Sequence, residues 1–110
     1  LKAQVSAIEG AKVGMKCAAV DAIARDIIED AGYHGAFGHS LGHSVGLEIH
    51  EAPNFAPRSA DFFENGHVIT VEPGIYLFGK YGCRIEDMVA IEKNGVHDFT
   101  RSPKDLIEIL

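Results

Sequence analysis

Gly38-His39-Ser40-Leu41-Gly42-His43-Ser44-Val45-Gly46-Leu47-Glu48-Ile49-His50-Glu51 gathers three of the chain's six histidines into one short stretch. Its glycines let the backbone turn tightly, so imidazoles four and seven positions apart can reach one small volume as metal ligands or proton carriers. A zinc-protease helix is excluded, because no glutamate follows His39 and the flanking glycines disfavour a helix there. The stretch reads instead as loop and short strand, and three imidazoles need acidic partners from elsewhere in the chain.

Working outward, those partners lie downstream. Val68-Ile69-Thr70-Val71-Glu72 is β-branched and short, Pro73-Gly74 bends it, and Ile75 to Phe78 resumes an extended apolar run. Cys83 to Glu92 alternates as one strand, with Arg84, Glu86, Met88 and Ala90 on one side and Cys83, Ile85, Asp87, Val89 and Ile91 on the other. Asn94-Gly95 then predicts a hairpin turn into a strand over 96–100. Glu72 and Glu86 each stand in an apolar, strand-like run, where an ionised carboxylate is costly unless a positive group neutralises it. Two such carboxylates point to a cation, whereas an Arg84–Glu86 ion pair on a solvated sheet face is the plainer reading of the second. His34, His67 and His97 stand in turn-like contexts and read as hydrogen-bonded structural residues.

Upstream, residues 1–13 have helical spacing with Val5 and Ile8 on one stripe and Gly14 as the stop, and they begin without a Met or a capping residue, which predicts preceding chain. A second helix is predicted over 18–31, with Ala19, Ile23, Ile27 and Ala31 on its apolar stripe and a solvated polar face carrying Asp21, Asp26 and Asp30. Between Glu51 and Gly66, prolines and asparagines predict a loop.

Composition sets the outer limits. The chain has 110 residues, 46% hydrophobic and 24% charged, enough for one modest core. A net charge of -6 argues against a nucleic-acid binder, since no basic cluster exists to neutralise phosphates. Cys17 and Cys83 lack metal or disulfide spacing and read as buried thiols of a cytoplasmic protein. No apolar run approaches the ~20 residues that span a bilayer, so no membrane role is expected.

Gly38 to Pro53, followed by Thr70-Val71-Glu72-Pro73-Gly74-Ile75-Tyr76 and then Gly82-Cys83-Arg84-Ile85-Glu86-Asp87, resembles in order and separation the pita-bread metallopeptidases, in their Xaa-Pro dipeptidase (prolidase) and aminopeptidase P branch. The resemblance implies an α+β fold in which residues 1–110 form the C-terminal half of one catalytic domain, a curved, mostly antiparallel sheet with two helices on one face. It makes His43 a metal ligand, Glu72 a carboxylate ligand and proton shuttle, and Glu86 the carboxylate bridging two divalent metals. Mn is the first expectation for these metals, with Co or Zn as alternatives. His39 and His50 become imidazoles that stabilise the oxyanion and contact substrate, and Arg84 holds the ligand carboxylates.

The implied activity of the parent protein is metal-dependent hydrolysis of Xaa-Pro bonds in proline-containing peptides. Family members draw two further ligands from an Asp pair in the preceding half of the domain, and no Asp pair here replaces it. The isolated chain is therefore expected to bind metal weakly, to be inactive, and to self-associate or pair with the N-terminal half. A methionine aminopeptidase and a non-catalytic pita-bread binding module are the alternatives. Arg84-Ile85-Glu86-Asp87 favours the proline-specific branch over the first, and retention of all three ligands argues against the second.

Overall fold

The computed structural model describes residues 1–109. Among the described residues two helices, α1 (Lys2–Gly10) and α2 (Cys17–Asp30), are followed by seven strands: β1 (Gly42–Ser44), β2 (Glu51–Phe55), β3 (Val68–Val71), β4 (Gly74–Leu77), β5 (Tyr81–Arg84), β6 (Asp87–Glu92) and β7 (Gly95–Asp98). The α+β expectation holds: β2-β1-β3-β6-β7 form one sheet with every pairing antiparallel, and β4-β5 form a separate two-stranded ribbon.

Both helices differ from the sequence reading in the face they bury. Helix α1 ends at Gly10, because Ala11 is already extended, and Gly14 serves a later turn at φ +83°. It buries Ala3, Gln4 and Ala7 and leaves Val5 exposed. Small side chains let it lie close to α2, where a Cβ at Gly10 would sit 2.5 Å from Ile23 Cδ1. Helix α2 buries Cys17, Val20, Asp21, Ala24 and Ile28 rather than the Ala19 stripe, and Ala31 is exposed. The expectation of a solvated Asp21 fails for a specific reason: Arg25 one turn later neutralises it inside the fold, through Nε to Oδ2 at 2.7 Å.

The core lies between the helices and one sheet face, where Ile69, Val71, Val89 and Ile91 meet Val20, Ala24 and Phe63. Burying two aromatic rings in contact, Phe55 and Phe63 at 4.6 Å between centroids, secures the segment joining β2 to β3. The predicted loop over 51–66 thus begins with strand β2, despite Pro53. A proline is tolerated there because β2 is the sheet's edge and needs no ladder on its outer side. Cys17 is buried as expected, but Cys83 is exposed, since β5 belongs to the two-stranded ribbon and has no layer covering it.

The predicted strand over 83–92 is broken, and the break positions the site. Strands β3 and β6 pair with Val71 opposite Asp87, and β4 and β5 pair with Gly74 opposite Arg84, so one register runs through both pairs. Continued across the interruption, it sets Glu72 opposite Glu86 and Pro73 opposite Ile85. Pro73 has no N–H to give the ladder, and the long hairpin kinks there.

Candidate active site

Antiparallel alternation puts Thr70, Glu72, Glu86 and Met88 on the face away from the helices, while Ile69, Val71, Asp87 and Val89 face inward. Two carboxylates directly opposite on one face repel unless a positive group lies between them. In this structure that group is Arg84, with Nη1 3.8 Å from Glu72 Oε2 and Nε 3.6 Å from Glu86 Oε2. Glu72 is largely enclosed, whereas the Glu86 side chain is 44% exposed.

His43 arrives from the neighbouring strand. Strand β1 sits beside β3 with Ser44 opposite Ile69, and its backbone comes so close that a Cβ on Gly42 would collide with the Thr70 carbonyl oxygen. The His43 N–H donates to Thr70 Oγ1 at 3.1 Å, and the Thr70 hydroxyl donates to Glu72 Oε1 at 2.8 Å. His43 Nδ1 lies 3.0 Å from the Ser44 carbonyl, which only accepts, so the proton resides on Nδ1. Nε2 then turns its lone pair toward Glu72 Oε1, 3.2 Å away. The two groups thus face one another as electron-pair donors, an arrangement that a shared cation would complete. An imidazole nitrogen held by a backbone carbonyl at its other nitrogen, next to an anchored carboxylate, is a donor set that Mn, Co or Zn accepts.

The remaining candidates lie around this pair. The His50 ring is 4.3 Å from the His43 ring in an edge contact. His39 donates from Nδ1 to the Ser40 carbonyl at 2.8 Å and accepts at Nε2 from the Tyr76 hydroxyl at 2.9 Å. His43 and Glu72 therefore meet directly, His50 abuts His43, and Glu86 joins through Arg84, while His39 stands apart with Tyr76. Among the described residues no three His, Cys, Asp or Glu side chains close around one point. His34, by contrast, pairs with Glu29 and His67 accepts the Glu64 N–H, while His97, opposite Ala90 on the same sheet face but two strands from β3, packs on Phe99.

Four further participants are absent from the sequence-based set. Thr70 is findable, because strand alternation puts residues 70 and 72 on one face. Asp21 and Arg25 carry an i,i+4 signal, but the same spacing is common on solvated helix faces and does not by itself mark a buried pair. Tyr76 carries no signal: its ring lies so close over the hairpin that a Cβ at Gly74 or Gly82 would collide with it, a packing visible only once the ribbon is formed.

Residues 1–93 match the model of metallopeptidase family M24. The chain is 48% identical over 107 residues to the Xaa-Pro dipeptidase of Pyrococcus furiosus, covering 97% of this chain and 31% of that protein. Among solved structures, the Xaa-Pro dipeptidase from Bacillus anthracis superposes with a TM-score of 0.93 at 48% identity, covering 96% of this chain and 30% of that one. The X-prolyl aminopeptidase from Caenorhabditis elegans, described as a cytosolic enzyme with a di-nuclear active site, gives 0.69 at 29% identity, covering 81% of this chain and 15% of that one. The chain thus spans less than a third of the length of each of these three relatives. No helix among the described residues is long and apolar enough to cross a membrane.

Proposed function

The chain belongs to metallopeptidase family M24, and from that premise we propose that it forms the C-terminal part of a pita-bread catalytic domain that hydrolyses Xaa-Pro bonds in proline-containing peptides. The observation carrying this reading is the His43–Glu72 contact at 3.2 Å with Glu86 in register opposite Glu72.

In this reading His43 Nε2, Glu72 and Glu86 would be this chain's ligands to divalent cations. When bound, the two cations, Mn first and Co or Zn as alternatives, polarise the scissile carbonyl and lower the pKa of water. The chain's own residues do the rest. Glu72, fixed by the Thr70 hydroxyl, takes up the proton lost by the attacking water and passes it to the proline nitrogen as the bond breaks. His50 donates to the carbonyl oxygen as it gains charge, and His39, whose Nε2 accepts from the Tyr76 hydroxyl, helps orient the peptide. Until a cation takes its place, Arg84 keeps the two carboxylates at the kink from repelling each other.

With three of the ligands on this chain, the rest are supplied by preceding sequence, and the isolated chain is inactive. The test is Mn-dependent Xaa-Pro cleavage by this chain alone and by this chain joined to the preceding segment of its relatives. Turnover is expected only in the joined protein, with Glu72→Gln lowering kcat by about 10²- to 10⁴-fold. Full turnover by the isolated chain would refute the division of ligands. Absence of stoichiometric metal from the joined protein, together with indifference to Glu86→Ala, would favour a binding module.

A further inference from the structure

The segment from Phe37 to Leu41, which carries His39 and leads into the strand of His43, has no regular secondary structure, yet Phe37 and Leu41 are buried. Its backbone groups turn to helix α2. Arg25 donates from Nη1 to the Phe37 carbonyl at 2.7 Å and from Nη2 to the His39 carbonyl at 2.8 Å. The same guanidinium is held by both oxygens of Asp21, at 2.7 and 2.9 Å, and Asp21 Oδ1 also accepts the Leu41 N–H at 3.0 Å. Asp21 is 1% exposed. The guanidinium also stacks on the Phe37 ring at 4.2 Å, and that ring meets the His39 ring edge-on at 5.1 Å.

We infer that Asp21 and Arg25 are positioning residues that fix the orientation and tautomer of His39, an inference resting on the role of His39 proposed above. A planar fork reaching two carbonyls two residues apart while bound to a carboxylate leaves the intervening backbone one arrangement. That arrangement sets the Ser40 carbonyl against His39 Nδ1, so that the ring's proton stays there and Nε2 is left to accept from Tyr76. A lysine at position 25 supplies the charge without the fork, and cannot hold Asp21 and both carbonyls in one plane.

The test is nitrogen-15 NMR of the 110-residue chain with labelled histidine, comparing wild type with Arg25→Lys and Asp21→Asn. Truncation to alanine is avoided because it strands a buried charge. The wild type is expected to show His39 as a single Nδ1–H tautomer. In either variant His39 should lose that pattern and show mixed tautomers, while His67 and His97 keep theirs and circular dichroism is unchanged. A folded Arg25→Lys chain with the wild-type His39 pattern overturns the inference. So does loss of every histidine signal in both variants, which would make the pair a stability element with no selective hold on His39. In the joined protein, His39→Ala separates the two readings. If it leaves Xaa-Pro turnover intact while the tautomer in Arg25→Lys is scrambled, the proposed role of His39 fails and the clamp stands.

Discussion

Thr70 shows how much depends on one hydroxyl at the residue scale. It is the group through which His43 and Glu72 are held in common, accepting from the backbone of one and donating to the carboxylate of the other. Thr70→Val keeps the shape and removes both bonds, so the His43 N–H loses a partner and Glu72 is free to rotate. In the joined protein this variant is expected to bind Mn about 10- to 100-fold more weakly, read by calorimetric titration, with a stability loss of only about 1–2 kcal/mol. Unchanged affinity would mean that Glu72 needs no anchoring. Cys17 offers a pH test. Burial, and then the nearby Asp61 carboxylate, pushes its thiol up to about 11 from 9.0. A raised thiol pKa means that the unfolded chain releases this proton first. Its contribution is therefore complete below pH 9 and is lost as pH rises toward about 11, up to ~3 kcal/mol. Denaturant melts at successive pH values should show the loss, and Cys17→Ala should flatten it. Iodoacetamide at pH 8 should label the exposed Cys83 and spare Cys17 in the folded chain.

Among the elements, β1 is the most demanding, because three residues carry His43 into the sheet between two neighbours. Its closeness to β3 depends on the missing side chain of Gly42. Gly42→Ala is expected to cost about 3 kcal/mol or more, since the opposing atom is the Thr70 carbonyl rather than a movable side chain. Gly38→Ala, with open space around its Cα, should change the thermal midpoint little. Equal melting of the two variants would show that the strands separate without penalty. The same elements explain what is legible in the sequence. The β-branched run ending at Glu72 is legible because local patterning decides it, and so is the β6–β7 hairpin, although its loop is Lys93-Asn94, one residue before the predicted Asn94-Gly95. The end of α1 and the buried stripe of α2 are not, since helix–helix contact selects alanines over Val5 and pairs Asp21 with Arg25 inside. The kink at Pro73 is half legible: proline marks the bend in its own strand, but the matching break at Ile85 and Glu86 exists only because those residues lie opposite it. The candidate ligands stand out by chemical type, and the shared face of Glu72 and Glu86 follows from register, which no single strand contains.

For the whole molecule, shape and ligand number act together. The radius of gyration is 13.9 Å, slightly above the ~13 Å of a close-packed domain of this size. The β4–β5 ribbon carries the exposed Phe78 and Tyr81, and Leu47 and Ile49 stand out beside the histidines. These apolar groups are where pairing with preceding sequence, or with a second copy, would bury surface. The His43–Glu72 pair alone supplies two donors at one point, and Arg84 still sits between Glu72 and Glu86. A cation must displace that guanidinium to bridge the carboxylates, so we expect millimolar affinity in this chain. Ligand present at its dissociation constant stabilises by only ~0.4 kcal/mol, which in a chain of this size is about 2–3 °C in Tm. With the remaining ligands in place, Mn at a hundredfold excess over Kd is worth about 2.7 kcal/mol, a shift of several degrees even in a larger protein. Thermal melts with and without about 1 mM Mn should therefore separate the two proteins, and Glu86→Ala should abolish most of the larger shift. A shift of about 10 °C in the isolated chain would mean that His43, Glu72 and Glu86 already close on metal without help, and that Arg84 yields its place at almost no cost.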